Sequence, residues 1–447
     1  MNLCEYARKV AAVLLLEGLR AVDPSRLLRE KLSLTFGKLR VDGFEVDVSE
    51  GAYVVAVGKA GGYMAETLEE ILGDAVRGGV ATIPKHAPAP KLRRITPVVA
   101  GHPIPDEGSL EAGRLALRAA EKARESRVPL IVLLSGGGSA MAEHLPPGLP
   151  LEDLRVVTEL LLKCGASIDE INAVRKHLSL IKGGRLAAAA SPSPVLTLIL
   201  SDVVGDRLDT VASGPTVPDP TTYEDALRVL QRYDLLAVAP RSVAELLAKG
   251  RSGDFPETPK PGELSNSFPV VIGNNMTALR AMKEFSEKLG LNAIILTSML
   301  QGEAREAAKT LAAITLEARR SGSPIDPPAA ILCGGETTVT VKGQGKGGRN
   351  QEFALAAAIS IAGEEGVAIA AMGSDGIDGP TEVAGAVVDG RTFHVARRLG
   401  IDPLTYLREN DSYTFFKLVG GHIVTGPTGT NVNDFYLGII VTEEVIW

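Results

Sequence analysis

Short, continuous apolar segments alternate with helix-forming segments along most of this chain, and that alternation strongly constrains its fold. The segments Ala52–Val57, Pro129–Leu134 and Pro194–Leu200 contain almost no polar residue. Strands that are covered on both faces of a parallel sheet have this composition. Helical patterns such as Ser109–Arg124 and Asn172–Ala190 lie between them. The order of strands and helices therefore predicts an α/β fold with an open, doubly wound sheet.

Residues 249–268 interrupt this pattern, because they are rich in Gly, Pro and Ser and have almost no apolar residue. We interpret the stretch as an exposed connection and place a domain boundary there. The predicted domains are residues 1–250 and 265–447. The remaining predicted strands are Val98–Ala100, Val270–Ile272, Ala293–Leu296, Ala329–Leu332, Thr337–Val341 and Val367–Met372, and the remaining predicted helices are a segment ending near Leu72, Leu151–Cys164, Met276–Lys288, Glu303–Arg320 and Asn350–Ile361.

The N-terminal segment has the spacing of an amphipathic helix. Leu3, Ala7, Val10 and Leu14 recur at helical intervals, and charged residues flank the short apolar run that follows. We expect neither a signal peptide nor a membrane span, because no uncharged core with a cleavage site and no long apolar run is present. Within the first domain, residues 1–40 are a candidate segment for packing on the C-terminal domain.

The charge and cysteine content exclude some classes of function. The 47 Lys and Arg residues against 54 Asp and Glu residues give a net charge of −7, so the chain lacks the basic excess of nucleic-acid-binding proteins. Cys4, Cys164 and Cys333 are far apart in sequence, which predicts neither a zinc site nor a disulfide framework. We therefore expect a cytoplasmic protein. The six histidines show no HxxxH or HExxH spacing, which disfavours a zinc hydrolase.

Four glycine clusters directly follow predicted strands. They are Val55–Gly62, Leu133–Met141, Ile331–Thr338 with its continuation Lys342–Glu352, and Ala370–Thr381. In open α/β sheets, ligands bind beyond the carboxyl ends of the strands, and glycine lets backbone N–H groups approach an anion closely. Any single cluster is better explained as a tight turn than as a ligand site, and none has the GxxxxGK[ST] or GxGxxG spacing. Together with their charged residues, the four clusters favour one or two sites for anionic ligands.

Basic side chains accompany these turns. Lys59 lies where the chain passes from a strand into a helix, and Arg349 follows two glycines at a predicted helix start. Both have the position expected of cations that contact a phosphoryl group. Arg175 belongs to a basic triplet that either forms a solvated face or binds a carboxylate. Ser135 and Ser139 flank three glycines without forming a GxSxG motif, so we expect hydrogen-bond donors to an anion rather than nucleophiles.

Acidic side chains follow two of the predicted strands. Asp202 and Asp206 come after Pro194–Leu200, while Asp375 and Asp378 come after Val367–Met372. Mg²⁺ binds one or two carboxylates together with phosphate oxygens and water, so all four are candidate metal ligands. Asp is also a common turn former, and this interpretation stays open. An Asp is the expected acceptor of a proton from a substrate hydroxyl. Asp202 is a candidate catalytic residue, and which Asp acts as the base and which binds the metal stays open.

Taken together, the motifs resemble those of the class II glycerate kinases, the family that carries a MOFRL domain. The resemblance covers essentially the whole chain in the expected order. Two local departures, Val204 and Ser374, remove no charged group. The matching segments are AVGKAGGYMAE (56–66), GHPIPDEGS (101–109), LLSGGGSAM (133–141), INAVRKHLSLIKGGRLA (171–187), LSDVVGDRLDTVASGPTVPDPTT (200–222), CGGETTVTVKGQGKGGRNQEFAL (333–355), GSDGIDGPTEVAGAVVD (373–389) and TGPTGTNVNDF (425–435).

The resemblance implies phosphorylation of D-glycerate to 2-phosphoglycerate with ATP and Mg²⁺. It also implies a larger Rossmann-like domain, a smaller α/β MOFRL domain and an active site in the cleft between them. Lys59 and Arg349 match the family's catalytic Lys and Arg. We expect glycerate at Ser135, Gly136, Gly137, Gly138, Ser139 and Arg175, and ATP at Gly334, Gly335, Glu336, Gly347, Gly348, Asn350 and Asp375.

Two other classes of function remain as alternatives. Relatives of this family have been labelled hydroxypyruvate reductases, but the loop GKAGG lacks the spacing of a nicotinamide-binding turn. A non-catalytic anion-binding module would explain the glycine turns but not the added Lys, Arg and Asp residues. In each case the expected partners are small molecules, with neither nucleic acid nor membrane, and the chain is expected to be a monomer or a homodimer.

Overall fold

The computed structural model describes residues 2–85 and 87–443, and the chain divides into two compact units. Residues Leu27–Ile272 form one unit, which we call the switch-point unit. The other, the mixed-sheet unit, combines Met1–Arg26 with Gly273–Trp447. The chain thus changes unit at residues 26/27 and 272/273, whereas the composition predicted one boundary within 250–265. Residues 253–266 are largely irregular, but Thr258 and Asn266 within them are buried in the switch-point unit.

Helices occur throughout the described residues, with two additional 3₁₀ turns at Gly73–Ala75 and Val211–Ser213. The helices are α1 (Leu3–Ala21), α2 (Pro24–Lys31), α3 (Gly61–Leu72), α4 (Glu107–Ser126), α5 (Gly138–Met141), α6 (Leu151–Lys163), α7 (Ile168–His177), α8 (Arg185–Ala190), α9 (Tyr223–Arg232), α10 (Arg241–Ser252), α11 (Asn275–Lys288), α12 (Ala304–Ser321), α13 (Arg349–Ser360), α14 (Thr392–Arg398), α15 (Pro403–Arg408) and α16 (Ser412–Val419). None of the helices in the described ranges is long and apolar enough to cross a membrane.

The strands form two six-stranded sheets and one small three-stranded sheet within the described part of the chain. The strands are β1 (Ser33–Thr35), β2 (Lys38–Val41), β3 (Phe44–Asp47), β4 (Ala52–Val57), β5 (Val76–Ile83), β6 (Ile95–Val99), β7 (Leu130–Leu134), β8 (Val195–Leu200), β9 (Ser267–Gly273), β10 (Asn292–Leu300), β11 (Ala329–Gly335), β12 (Val367–Gly373), β13 (Gly385–Asp389), β14 (His422–Ile423) and β15 (Asp434–Ile440).

The sheet of the switch-point unit has the order β6-β5-β4-β7-β8-β9. Its strands β6, β5, β4, β7 and β8 run parallel, as the continuous apolar segments predicted. The chain builds outward from β4 to one edge through β5 and β6, and then returns to the other side of β4 with β7. This order places a topological switch point between β4 and β7, where ligands bind in doubly wound folds.

The sheet of the mixed-sheet unit has the order β10-β11-β15-β12-β13-β14. Its central strand β15 is antiparallel to both β11 and β12, so this sheet is mixed rather than all-parallel. Residues on both faces are nonetheless fully buried, for example Ala330 on one face and Ile331 on the other. Burial on two faces produces a continuous apolar segment whether a strand runs parallel or antiparallel to its neighbours, so such segments do not by themselves determine strand direction.

Two other predicted elements differ from the structure. The predicted helix Asn172–Ala190 is two helices, α7 and α8, because Gly183 and Gly184 between them adopt positive φ angles of 58° and 84°. The predicted strand Thr337–Val341 forms only an isolated bridge between Thr338 and Glu303. Helix α1 packs against α11, β12, β13 and β15 of the mixed-sheet unit. The contact is close, since a Cβ on Gly18 would lie 1.9 Å from the Cε atom of Met282.

Candidate active site

The loops that follow β4 and β7 are hydrogen-bonded to each other at the switch point. Lys59 donates its backbone N–H to the carbonyl of Gly136 at 2.8 Å, and Ala60 donates its N–H to the buried Ser135 Oγ at 3.0 Å. Gly58 has a φ of 119°, and a Cβ there would lie 2.3 Å from the Ser135 carbonyl oxygen. Two predicted sites, Lys59 and the glycine-triplet loop of residues 135–139, are therefore parts of one structure.

Helix α3 begins directly after Lys59, and its N-terminus has no side-chain cap. The N–H of Gly61 donates to the Gly58 carbonyl at 3.0 Å, but no N-cap side chain accepts the N–H groups that follow, as Ser, Thr, Asp or Asn does at most helix starts. The side chain of Lys59 is half-buried beside this helix end, and its Cγ would lie 3.3 Å from a Cβ on Gly137. An uncapped helix start with an adjacent lysine attracts anions.

A chain of hydrogen bonds links the glycine-triplet loop to α7. Ser139 Oγ lies 2.8 Å from Ser213 Oγ, which donates to Asn172 Oδ1 at 2.9 Å. Ala212 and Ser213 have φ angles of 50° and 60°, a conformation that residues with a Cβ rarely adopt. Such strained residues cluster at functional sites. The close approach of Ala212 also explains why residue 138 is a glycine, since a Cβ on Gly138 would lie 2.7 Å from the Ala212 Cβ.

Arg175 lies on α7, one turn beyond Asn172, and its charge is not balanced locally. Within the described residues its half-buried guanidinium makes no hydrogen bond or ion pair. Nearby, the buried carboxylate of Glu143 is already hydrogen-bonded to Lys182 and Ser179. Burial lowers the pKa of Arg175, and the charge of Glu143 opposes that effect. Arg175, Lys182 and Glu143 together carry one excess positive charge, which favours binding of an anion.

The other two residues of the basic triplet belong to an internal network. Lys176 is buried and lies 3.3 Å from Asp209 and 3.4 Å from Asp219. His177 lies between the carbonyl of Ala173, 2.6 Å from Nδ1, and the Glu257 carboxylate, 2.9 Å from Nε2. These contacts hold α7 in place, and of the triplet only Arg175 is available to a ligand.

Asp202 and Asp206 occupy the turn after β8, the strand beside β7. Both side chains are half-exposed, and Asp206 has a positive φ of 52° with its N–H bonded to the carbonyl of Val203 at 2.9 Å. The parallel strands β4, β7 and β8 therefore bring Lys59, the glycine-triplet loop and Asp202 to the same edge of one sheet.

In the mixed-sheet unit, Arg349 is the first residue of α13 and is held by two carboxylates. Its Nε and one terminal nitrogen donate to Asp434 at 2.5 and 3.0 Å, and the other terminal nitrogen donates to Glu336 at 2.8 Å. Burial acts to lower the pKa of Arg349, but the charge and hydrogen bonds of Asp434 outweigh this and raise the pKa above its ordinary value. Arg349 is therefore a permanent cation with a fixed orientation.

Asp378 is bound by protein donors at the start of α13. Its carboxylate accepts the backbone N–H groups of Asn350 at 3.0 Å and Gln351 at 2.9 Å, and both side-chain amides also donate to it. Burial raises its pKa to about 6, although these hydrogen bonds act in the opposite direction. Asp378 thus serves as a helix cap, and a metal ion would have to displace its four donors. We therefore omit it from the metal ligands proposed below.

The glycines of the predicted ATP site are explained in part by close packing. A Cβ on Gly334 would lie 1.6 Å from Asn275 Oδ1, and one on Gly335 would lie 2.2 Å from the Leu300 carbonyl. Likewise, a Cβ on Gly347 would meet Ser412, and one on Gly348 would meet Asp378. Because Asp378 also occupies the N–H groups of Asn350 and Gln351, these two groups are not available to phosphate.

Asp375 lies in the turn after β12, where its Oδ1 accepts the N–H of Ile377 at 3.1 Å. The loop 424–430 packs on this turn, with Thr428 donating its N–H to the Asp375 carbonyl at 3.3 Å. No cluster of three or more His, Cys, Asp or Glu side chains that could hold a metal occurs in residues 2–85 and 87–443. The half-exposed carboxylates of Asp202, Asp206 and Asp375 nevertheless fit Mg²⁺, since it takes one or two carboxylates and completes its shell with phosphate and water.

Sequence reasoning did not identify several polar residues that complete these arrangements. Asn172 and Ser213 connect α7 to the glycine-triplet loop, and His102 packs its ring against Gly137. Asp434 orients Arg349. All four lie in segments that carry the family resemblance, but nothing local distinguishes them from other turn residues.

Comparison with known proteins identifies the same two parts of the chain. Residues 10–248 match a model described as a domain of unknown function (DUF4147), and residues 329–434 match the MOFRL family. A Pyrococcus horikoshii protein named glycerate 2-kinase is 43% identical over 438 residues, covering 98% of both chains. A Thermotoga maritima protein named D-glycerate 2-kinase is also 43% identical, covering 98% of this chain and 99% of the relative.

A crystal structure of a glycerate kinase from Thermotoga maritima is similar over the whole chain. The TM-score is 0.86 at 42% sequence identity, and the alignment covers 98% of this chain and 100% of the crystal structure's chain. Full-length similarity at this identity, together with the match to both domain models, shows that the chain belongs to the MOFRL-domain, or class II, glycerate kinase family.

Proposed function

We propose that this chain is a glycerate 2-kinase, which transfers the γ-phosphoryl group of ATP to the 2-hydroxyl of D-glycerate. The observation that carries the proposal is the anion site at the switch point, in a chain similar along its full length to glycerate 2-kinases. There the uncapped start of α3, Lys59 and the glycine-triplet loop lie together. Asn172 of α7 is hydrogen-bonded through Ser213 to that loop, and Arg175 lies one turn further along the same helix. An acidic substrate satisfies these groups, whereas a neutral one does not.

The proposed role of Arg175 is to bind the glycerate carboxylate. A guanidinium recognises a carboxylate through two parallel hydrogen bonds, and the excess positive charge of its surroundings makes a monoanion the matching ligand. The Ser135 hydroxyl and the backbone N–H groups of Gly136, Gly137, Gly138 and Ser139 supply further hydrogen-bond donors. Ser139 is already oriented by Ser213 and Asn172.

The proposed transfer step needs a proton acceptor and cations. The 2-hydroxyl oxygen forms a bond to the γ-phosphorus, the bond from that phosphorus to the bridging oxygen breaks, and ADP leaves. Asp202 accepts the hydroxyl proton, while Lys59 and Arg349 stabilise the charge on the transferred group. Bound Mg²⁺ supplies further charge neutralisation at the phosphates.

The remaining assignments follow from the same chemistry. Of the predicted ATP-binding residues, we retain Glu336 and Asp375 with the adjacent turns Gly334–Gly335 and Gly347–Asn350 as the nucleotide region. Asp202, Asp206 and Asp375 are the proposed Mg²⁺ ligands. The three cysteines are unpaired, which supports a location in a reducing cytoplasm. We keep a monomer or homodimer as the expected state, to be determined by light scattering after gel filtration.

The decisive experiment measures ADP release from ATP and Mg²⁺ with and without D-glycerate, and identifies the product by phosphorus NMR. We expect glycerate-dependent ADP and a phosphate ester on carbon 2. A parallel assay follows NADH consumption with hydroxypyruvate in the absence of ATP. NADH oxidation without any glycerate-dependent ADP would overturn the proposal in favour of the reductase, and an ester on carbon 3 would overturn the regiochemistry alone.

A further inference from the structure

Asp434 is a fully buried carboxylate whose charge is directed at Arg349. It is 0% exposed, whereas 35% of the Arg349 side chain is exposed. Both carboxylate oxygens accept from the guanidinium, and Tyr436 donates its hydroxyl to the same carboxylate at 2.9 Å. The Tyr436 oxygen is held in turn by the backbone N–H of Thr337 at 3.2 Å. Burying a carboxylate costs several kcal/mol unless it is paired in good geometry, so this arrangement demands an explanation.

The position of Asp434 in the sheet explains how its carboxylate contacts Arg349. It is the first residue of β15 and lies opposite Gly335 of β11 on one side and Gly373 of β12 on the other. Strands β11 and β12 end where β15 begins, since β15 runs antiparallel to both. Asp434 therefore lies at the end of the sheet from which the loops after β11 and β12 begin. Its neighbours on both adjacent strands are glycines. This is the edge to which the sequence assigned the nucleotide.

The hydrogen bonds leave part of the guanidinium available. Arginine has five N–H groups, and in the described structure Arg349 uses three of them on Asp434 and Glu336. One N–H on each terminal nitrogen therefore has no acceptor within the described residues. Asp434 holds the inner side of the guanidinium in a fixed plane, so these two N–H groups have a fixed direction towards a ligand.

We propose that Asp434 is a positioning residue for the phosphoryl transfer, which orients the Arg349 guanidinium towards the transferred group. This inference rests on the proposed function. Asp434 touches neither substrate nor nucleotide in this proposal, and its whole effect on the rate passes through Arg349. A residue with a merely structural role would lower stability and would affect activity whether Arg349 is present or not.

A double-mutant cycle separates these two roles. The four proteins are the unaltered chain, Asp434→Asn, Arg349→Ala and the double variant, each assayed for kcat with D-glycerate and ATP. We expect Asp434→Asn to lower kcat about 10- to 100-fold, because small misplacements of a catalytic group have effects of this size. In the Arg349→Ala background the same substitution should change kcat less than twofold. Independent losses that multiply in the double variant would overturn the inference.

Thermal unfolding provides a second measurement that does not depend on activity. Arg349→Ala leaves a buried carboxylate without its counter-charge, and we expect a lower melting temperature. Asp434→Asn in that background removes the orphaned charge, so the double variant should melt at a higher temperature than Arg349→Ala. Equal or lower stability of the double variant would show that the two residues are not coupled and would overturn the inference.

Asp389 offers a matched control in the same unit. It is 4% exposed, pairs with Arg8 and accepts the N–H of Thr392 at the start of α14. Asp389→Asn should lower the melting temperature but leave kcat within about twofold. An unaltered chain without glycerate-dependent ADP release would refute the proposed function itself. An active chain in which Asp434→Asn retains full kcat would refute only the positioning role.

Discussion

Lys59 donates its backbone N–H to the carbonyl of Gly136, 2.8 Å away, and so joins the loop after β4 to the loop after β7. The bond spans the switch point of the sheet with the order β6-β5-β4-β7-β8-β9. This point lies between β4 and β7, where the chain stops adding strands towards β6 and starts adding them towards β9. This hydrogen bond fixes the backbone of Lys59 relative to the glycine-triplet loop. The position of the ammonium group is thus coupled to that of the glycine-triplet loop.

Substitution of Lys59 by Ala should lower kcat by about 100- to 1,000-fold with little effect on folding, because one preorganised stabiliser of transition-state charge has been removed. The measurement is ADP release at saturating D-glycerate and ATP. Lys122→Ala, at an exposed position on α4, is the control and should retain activity. A Lys59→Ala variant within threefold of the unaltered kcat would exclude Lys59 from the chemistry.

Gly58→Ala should unfold more easily by roughly 2–5 kcal/mol, because left-handed backbone strain costs about 1–2 kcal/mol and overpacking about 1–3 kcal/mol. The added Cβ would lie 2.3 Å from the Ser135 carbonyl oxygen. Gly148 is the matched control, since it has a φ of 88° and a Cβ added there would have no atom within 4 Å. Gly148→Ala should cost only about 1 kcal/mol in urea unfolding. Equal losses in the two variants would show that the contact between the loops is not tight.

Arg175→Met should raise the KM for D-glycerate about 100-fold, because loss of one partner of a buried charge pair typically costs 2–5 kcal/mol. The variant should also melt at an equal or higher temperature, because it removes a half-buried cation that makes no hydrogen bond or ion pair within the described residues. Arg228→Met, on the exposed face of α9, is the control for the loss of an arginine. An unchanged KM together with reduced stability would indicate a structural role for Arg175.

Glu170→Gln should show a pH-dependent loss of stability. Glu170 accepts the N–H of Ser167 at the start of α7 and pairs with Arg232, and these contacts lower its pKa from 4.5 to about 2. A carboxylate with a depressed folded-state pKa stabilises the protein above its unfolded pKa, and the effect is lost as the pH falls towards 2. We expect a loss of roughly 1 kcal/mol at pH 7 that shrinks steadily below pH 4.5.

The control for this pH dependence is Glu125→Gln on α4. Glu125 is exposed and makes no hydrogen bond or ion pair within the described residues. Unfolding by urea between pH 7 and pH 3.5 should give parallel curves for Glu125→Gln and the unaltered chain. A difference for Glu170→Gln that persists undiminished at pH 3.5 would contradict the expected charge effect.

Local patterns predicted only part of the elements of both units. Strand β4 matches the predicted Ala52–Val57, and α12 differs from the predicted Glu303–Arg320 by one residue at each end. One incorrect prediction has a clear physical cause. The segment Thr337–Val341 has the composition of a strand, but within the described residues it pairs with no neighbouring strand beyond one isolated bridge. Prediction missed seven strands, including β15 at the centre of its sheet; they are β1, β2, β3, β5, β13, β14 and β15.

The residues of the candidate site were likewise predictable only in part. Residue type and position after a strand were enough to single out Lys59, Arg349 and Ser135, because a strand's carboxyl end is a local property of the chain. Their distant partners were not predictable, since Asp434, which accepts hydrogen bonds from Arg349, lies 85 residues away. The cap role of Asp378 was hidden as well, because an Asp in a glycine-rich turn has the same local sequence whether it binds a metal or a helix start.

By itself, the sequence determined which segments are buried strands, which are helices, and where glycines and charges follow the strands, because burial and backbone conformation depend on neighbouring residues. Only the tertiary structure decided that β15 runs antiparallel between β11 and β12, that Asp434 meets Arg349, and that Arg175 is left without a counter-charge in the described chain. Those outcomes depend on contacts between distant segments, whose pairing is selected by packing of the whole unit.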